Sequence, residues 1–421
     1  MTNYDAAVAD FEAMQATARR LGDRVREGEA LCHQASTHWW RFSHAHEGLV
    51  ERCAREAMVI ADETGDERIL ARALGSLGLC DQKDGRLREA DAKLQRSIEI
   101  CRRRGLMGPL VTGHTWLGAH ANWRGEFRRC IEHSEEAERL AQETHEGLFE
   151  LVASLSRCNA HAALGEWDVA FRALEEALQK ARERENKYGL ARGLNTRGWL
   201  HRLLGDLARA TEWNRESIDL GRSAKIPNAE INATLNLADD HIDLGELDAA
   251  RRILTPTAER IRSGFFDSHL WRWNIRVPLA IARIALLEGD RSRAEELMTE
   301  SLRLAERTES QKYVAEARGL RAALAWEAGS CDEAVADLQA ALQVVEAVGY
   351  ARGIWQHAGA LGRALARMGQ ETGARVAYRT ALDTLGRSLP RIPGPALRNT
   401  LLASEPVARL REEAATLGVT L

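Results

Sequence analysis

From Leu207 to Leu220, apolar or small side chains return at Leu207, Ala210, Trp213, Ser217 and Leu220, three or four residues apart, with polar residues between them. That spacing puts them on one face of an amphipathic helix. Leu190 to Leu204 predicts another helix just upstream, and Gly205-Asp206 separates the two. The arrangement then repeats along the chain. A glycine stands at 85, 125, 165, 205, 245, 289, 329 and 369, so that six of the seven intervals are 40 residues and one is 44. Five residues after each glycine comes a small side chain: Ala90, Cys130, Ala170, Ala210, Ala250, Ala294, Ala334 and Ala374. Twelve after it comes another: Ser97, Ala137, Ala177, Ser217, Thr257, Ser301, Ala341 and Ala381. Small residues at these places let two helices approach closely, while Leu94, Leu174, Leu254 and Leu338 fill the space between. Glycine supplies the backbone that ends one helix, and an acid after it (Glu166, Asp206, Glu246, Asp290) favours the positive end of the next. A fixed period of this length marks an array of like units, each a helix pair.

These features resemble the tetratricopeptide repeat. The residues that carry the resemblance are Leu77-Gly78 and Leu117-Gly118 of the first helix, the turn glycine, and the two small residues beyond it. It covers residues 27–385 and implies an all-α fold, a right-handed superhelical α-solenoid of antiparallel helix pairs. The period exceeds the usual 34 or so, which gives each helix nearly another turn. The aromatic usual in the first helix is replaced by His161, His201 and His241, which share one register. Either they pack as satisfied core histidines or they form a pH-sensitive ladder, since histidine titrates near neutrality.

The ends and one joint depart from the repeat. Tyr4 to Leu21 predicts a lone amphipathic helix, so residues 1–26 read as a cap over the first exposed face. Residues 27–270 hold six units, the first lacking its glycine, with Ala45 at the turn. Residues 271–388 hold three more. Before them lies Gly264-Phe265-Phe266-Asp267-Ser268-His269-Leu270-Trp271-Arg272-Trp273, flanked by Pro256 and Pro278. A proline inside a helix removes a hydrogen bond and bends the chain. The four aromatics either pack a joint between two half-solenoids or line a ligand groove. From Gly386 to Pro395 three prolines end the array, and residues 389–421 read as a turn followed by capping helices. The run Arg398 to Leu410 is similar to the tail of repeat arrays linked to bacterial signal-transduction ATPases and cyclases.

Composition narrows the chemistry. With 62 acidic and 58 basic residues the net charge is −4, without the basic excess of nucleic-acid binders. Residues 1–26 are too few for a DNA-binding helix-turn-helix. No apolar run of about 18 residues is present to span a bilayer, and Met1 to Asp5 lacks the features of a signal peptide, so a cytoplasmic protein is expected. The seven cysteines form no CxxC pair, and several occupy small-residue positions, which reads as core packing in a reducing compartment. No phosphate loop, HExxH or Gly-x-Ser-x-Gly elbow appears, so no catalytic residue and no cofactor is expected. His33, His38, His44 and His46 flank Trp39-Trp40 without metal-ligand spacing, so no metal is expected either.

The resemblance also implies where a partner would sit, because first helices line the concave face of such arrays. Counting thirteen, ten, nine, six, three and two residues back from each glycine gives Trp39, Arg72, Trp116, Asn122, Trp123, Asn159, Arg192, Asn195, Trp199, Arg202, Asn232, Asn236, Asp239, Arg276 and Arg283. Asparagine amides match both polar groups of a peptide bond. By resemblance to peptide-binding members of the family, Asn195, Asn232 and Asn236 are expected to hold a peptide backbone and Arg192, Arg202, Arg276 and Arg283 to receive acidic groups, with Trp116, Trp123 and Trp199 as anchors for apolar side chains. The function expected is a non-catalytic scaffold or sensor that binds a protein or peptide partner. The alternative is the ligand-sensing subunit of a bacterial signalling system, binding a small molecule.

Overall fold

The computed structural model describes residues 4–39, 47–263 and 269–421, and these form helices without a strand. Trp40, His44, Ala45, His46 and the stretch Gly264 to Ser268 lie outside the described residues. Helix α1 (Tyr4–Leu21) matches the lone helix read from the sequence. Nine pairs follow in chain order: α2 and α3 (Arg24–Trp39, Glu47–Thr64), α4 and α5 (Glu67–Lys83, Leu87–Arg104), α6 and α7 (Met107–Arg124, Phe127–Thr144), then α8 and α9 (Gly147–Ala163, Trp167–Glu183). Next come α10 and α11 (Lys187–Leu203, Leu207–Ser223), α12 and α13 (Pro227–Asp243, Leu247–Arg262), and α14 and α15 (Leu270–Leu287, Arg291–Arg307). The last pairs are α16 and α17 (Gln311–Glu327, Cys331–Val348) and α18 and α19 (Ala351–Arg367, Glu371–Ser388). A 3-10 turn (Leu389–Arg391), α20 (Pro395–Ala403) and α21 (Glu405–Thr416) complete the chain. The fold is an all-α, tetratricopeptide-like solenoid of helix pairs. Among the described residues no helix is long and apolar enough to cross a membrane.

The recurring small residues do what their size requires. All eight side chains five residues past the turn glycine are wholly buried. At the second small position, serines gain a further role. Ser97 Oγ donates to the Ala71 carbonyl at 2.7 Å, Ser217 to Ala191 at 2.8 Å and Ser301 to Ile275 at 3.2 Å. Each bond ties a second helix to the first helix of its own pair and satisfies a buried hydroxyl. Six cysteines are buried and free, as core packing requires, while Cys331 is half-buried at the start of α17. Burial pushes the thiols of Cys32, Cys80 and Cys158 up to about 12, which leaves them unreactive. Pro256 lies inside α13 and Pro278 inside α14, and both helices continue through them. Of the aromatics beyond the undescribed stretch, Trp271 and Trp273 are buried, which matches the packing alternative for those two.

By density of contacts the chain divides into two units. The first comprises residues 1–120, 133–153 and 259–273, and the second 121–132, 154–258 and 274–421. In the first unit, fully buried His120 has both ring nitrogens partnered, Nδ1 with Asp91 at 2.7 Å and Nε2 with Gln82 at 2.8 Å. In the second, the C-terminal helices return to the turns of earlier repeats. A Cβ on Gly165 would meet Ser388 Oγ at 2.6 Å and Ala351 Cβ at 3.2 Å, and one on Gly205 would meet Ser404 Cβ at 2.8 Å. Arg391 pairs with Asp168 at 2.8 Å. Phe127, Val345, Leu164 and Tyr350 belong to one apolar cluster beside these turns.

Candidate binding site

Five first helices of the second unit, α10, α12, α14, α16 and α18, bring a charged cluster together. Arg202, in the last turn of α10, reaches Asp243 at 2.9 Å and Asp240 at 3.6 Å, both in the last turn of α12. From α14, Arg276 donates to Asn236 at 2.8 Å and to Asp239 at 3.0 Å. Arg283, two turns further along, donates to Asp239 at 3.3 Å and to Asp243 at 2.7 Å. Arg352, at the start of α18, donates at 3.2 Å to the carbonyl of Arg202. That places a guanidinium on the negative end of α10, where the last carbonyls lack helical partners. Lys312 Nζ lies 5.2 Å from the Trp199 ring centre, 5.7 Å from those of Tyr313 and Tyr350, and 4.0 Å from Glu316.

The electrostatics follow from burial set against these pairings. Burial alone would raise Asp243, but Arg202 and Arg283 hold its carboxyl down at about 2. Asp239 is also held low, because Arg202, Arg276 and Arg283 outweigh its burial. Asp240 goes the other way. Its side chain has no exposed surface, and burial pushes it up to about 7 against the pull of Arg202 and the Asn214 hydrogen bond. Burial and the neighbouring Arg202 lower Arg352, which has no carboxylate within ion-pair distance among the described residues. Five cationic side chains (Arg202, Arg276, Arg283, Lys312, Arg352) therefore meet four carboxyls, one of which titrates near neutrality. The cluster carries a net positive charge, anchored at Arg352 and walled by Trp199 and Tyr350.

Residues 149–223 match the family model for the tetratricopeptide repeat. That stretch carries the tetratricopeptide repeat. No curated protein matches it in sequence. Among solved structures it is similar to a Rap protein complexed with competence and sporulation factor, at 12% identity and a TM-score of 0.61, over 87% of this chain and 99% of that one. The Rap conjugation gene regulator of plasmid pLS20, in complex with the Phr* peptide, gives 12% identity and 0.55 over 86% and 96%. The Cut9-Hcn1 hetero-tetramer of the APC/C gives 14% and 0.54 over 98% and 84%. At such identities these likenesses establish the fold.

Against the repeat frame, the residues expected on the inner face separate into three groups. Trp199, Arg202, Asp239, Arg276 and Arg283 come together in the cluster. The arginines arrive already paired with Asp239 and Asp243. A second group is turned into the packing. Asn195 is buried and donates to Asn214 at 3.3 Å, buried Asn232 donates to the Asn228 carbonyl at 2.8 Å, and Asn236 accepts from Arg276. Trp123 is buried, Asn122 and Asn159 are half-buried, and Arg192 donates to the Tyr188 hydroxyl at 3.4 Å. Trp116 belongs to the first unit, where it lines a separate cavity with Trp39 and Arg72. Several contributors escaped the count, Asp240 and Tyr350 among them. Glu316, thirteen before Gly329, and Asp243, two before Gly245, stand in the counted registers. Lys312 and Arg352, each seventeen before a turn glycine, lie one helical turn outside them.

The histidine register has a clear partner. His161 Nδ1 lies 2.6 Å from Glu166, His201 Nδ1 3.0 Å from Asp206 and His241 Nδ1 2.6 Å from Glu246. The acid after each of these three turn glycines thus latches the first helix across the turn, and Asp206 also caps α11 through the Arg209 N–H. Burial lowers His201 despite Asp206, so this ring is neutral near pH 7. These are satisfied histidines of the packed layer.

Proposed function

We propose that this protein is a non-catalytic interaction module that holds an extended, acidic peptide segment against the first helices of its second unit. The observation that carries the reading is Arg352, a half-buried guanidinium set on the Arg202 carbonyl without a carboxylate, in a cluster whose cations outnumber its carboxyls. An incoming carboxylate would make a charge-assisted hydrogen bond there. Lys312, Trp199 and Tyr350 supply a cationic and aromatic wall for the neighbouring side chains. The similar Rap structures were solved with a peptide and with competence and sporulation factor, which supports a peptide as occupant of the same fold here. We place the protein among regulatory scaffolds of the bacterial cytoplasm.

The test is fluorescence anisotropy with a labelled peptide library that differs in acidic content. Acidic members are expected to bind best, to weaken as salt rises, and to lose about tenfold or more in affinity with Arg352→Gln or Lys312→Gln. Equal binding of acidic and neutral members, or unchanged affinity in both folded variants, would overturn the reading.

A further inference from the structure

The first unit contains a half-enclosed cavity of about 260 Å³ between α2, α4 and α6. Its walls are mainly apolar and aromatic, among them Trp39, Leu79, Trp116 and Phe149. Most of its polar groups are already satisfied. Ser97 Oγ donates to Ala71, Thr112 Oγ1 to the Gly108 carbonyl at 3.2 Å, and Cys32 Sγ to the Ile69 carbonyl at 3.7 Å. Two groups are exceptions: the buried Trp116 indole N–H, which has no hydrogen-bond partner among the described residues, and Arg72. Arg72 Nη1 donates to His33 Nε2 at 3.2 Å, and no carboxylate pairs with it among the described residues. Since arginine only donates, His33 Nε2 must be an unprotonated acceptor, and burial together with Arg72 disfavours the charged ring. His33 is held flat against Phe11, with ring centres 4.8 Å apart and an interplanar angle of 11°. The cavity therefore presents one uncompensated positive charge, fixed by a neutral ring, at the edge of an aromatic box. An occupant that leaves this guanidinium with its charge unmatched forgoes the strongest interaction on offer, a bidentate carboxylate pair.

We propose that this cavity is a second binding site, independent of the peptide face, for a small aromatic carboxylate whose ring lies between Trp39 and Trp116 and whose carboxylate pairs with Arg72. Its size suits a single small ring system with a short acidic arm. The Cys32 thiol, inert through burial, takes no covalent part.

Two substitutions separate this site from general packing. Arg72→Gln removes the charge. Gly75→Leu fills the cavity from α4, where an added Cβ meets only Ser97 Oγ at 3.9 Å, so the helix accepts it. Isothermal titration of the full chain with phenylacetate and indole-3-acetate is expected to show saturable binding at one site. Affinity should fall about tenfold or more in Arg72→Gln, and likewise when phenylacetamide replaces phenylacetate. Binding should vanish in Gly75→Leu, with the circular dichroism of both variants unchanged. No saturable binding of either acid, undiminished binding in folded Gly75→Leu, or equal binding of acid and amide would each overturn the proposal. Arg352→Gln is expected to leave this binding unchanged, so the two sites are tested separately.

Discussion

Asp240 shows what a single buried carboxyl contributes when its partners are incomplete. Asn214 donates to its Oδ2 at 2.8 Å, while Oδ1 has no hydrogen-bond donor and Arg202 Nε stands 3.6 Å away. Its pKa rises from an ordinary 3.8 to about 7 because burial penalises the anion. The folded chain then binds this proton more tightly than the unfolded chain does. Its contribution to stability is fully present below pH 3.8 and is lost as the pH rises through 7. Asp240→Asn is expected to flatten the slope between these limits. It should also stabilise the protein at pH 8 by roughly 1–2 kcal/mol, after loss of the Arg202 attraction is deducted. Urea denaturation at pH 5 and pH 8 checks this, and a variant less stable than wild type at pH 8 would show that the attraction outweighs the burial.

At the scale of the element, the turn glycines share one conformation but not one environment. All eight have a positive φ, which costs a residue with a Cβ about 1–2 kcal/mol. Gly245 has nothing within 4 Å of an added Cβ, whereas Gly165 would press one onto Ser388 and Ala351. Gly165→Ala should therefore destabilise by roughly 1–3 kcal/mol more than Gly245→Ala. Ser388→Gly should recover part of that excess in a double-mutant cycle, and a cycle with no coupling would sink the close-packing account. The turns between pairs use the same left-handed geometry without glycine at His145, Glu185, Lys225 and Glu309. Lys225 is exposed at φ 56°, so Lys225→Gly is expected to stabilise by about 1 kcal/mol, read from the denaturation midpoint. No change or a loss would mean that glycine's added freedom in the unfolded chain cancels the relief.

At the scale of the whole molecule, the second unit depends on its C-terminal segment. Val407, Leu410, Leu401 and Ile392 are buried, Leu410 lies 3.0 Å from the position of a Cβ on Gly359, and Arg363 pairs with Glu413 at 2.7 Å. Each such apolar side chain contributes about 1.5–3 kcal/mol when buried. Removing residues 389–421 is expected to lower the melting of the second unit markedly and to expose hydrophobic surface to a dye. Calorimetry reads the outcome, and an unchanged melting profile would refute the dependence.

The repeat, its register and the element boundaries were legible in the sequence because helix pairing is local. A glycine every 40 residues and two small side chains per pair state where helices end and where they touch. The same count reached Trp199, Arg202, Asp239, Arg276 and Arg283, since inner-face registers repeat with the helices. Whether a residue in those registers is available to a partner was not legible. The burial of Asn195, Asn232 and Asn236, and the pairing of the arginines with Asp239 and Asp243, depend on what neighbouring helices present. Gly165 and Gly245 carry the same turn signature, yet only the return of residues 351 and 388 to that turn distinguishes them. Arg352 meets the carbonyl of Arg202 across 150 residues of chain, a contact that no periodicity encodes. Local spacing fixes helices and pairs, while charge balance and burial at a site are sums over segments distant in sequence, which only the tertiary structure brings together.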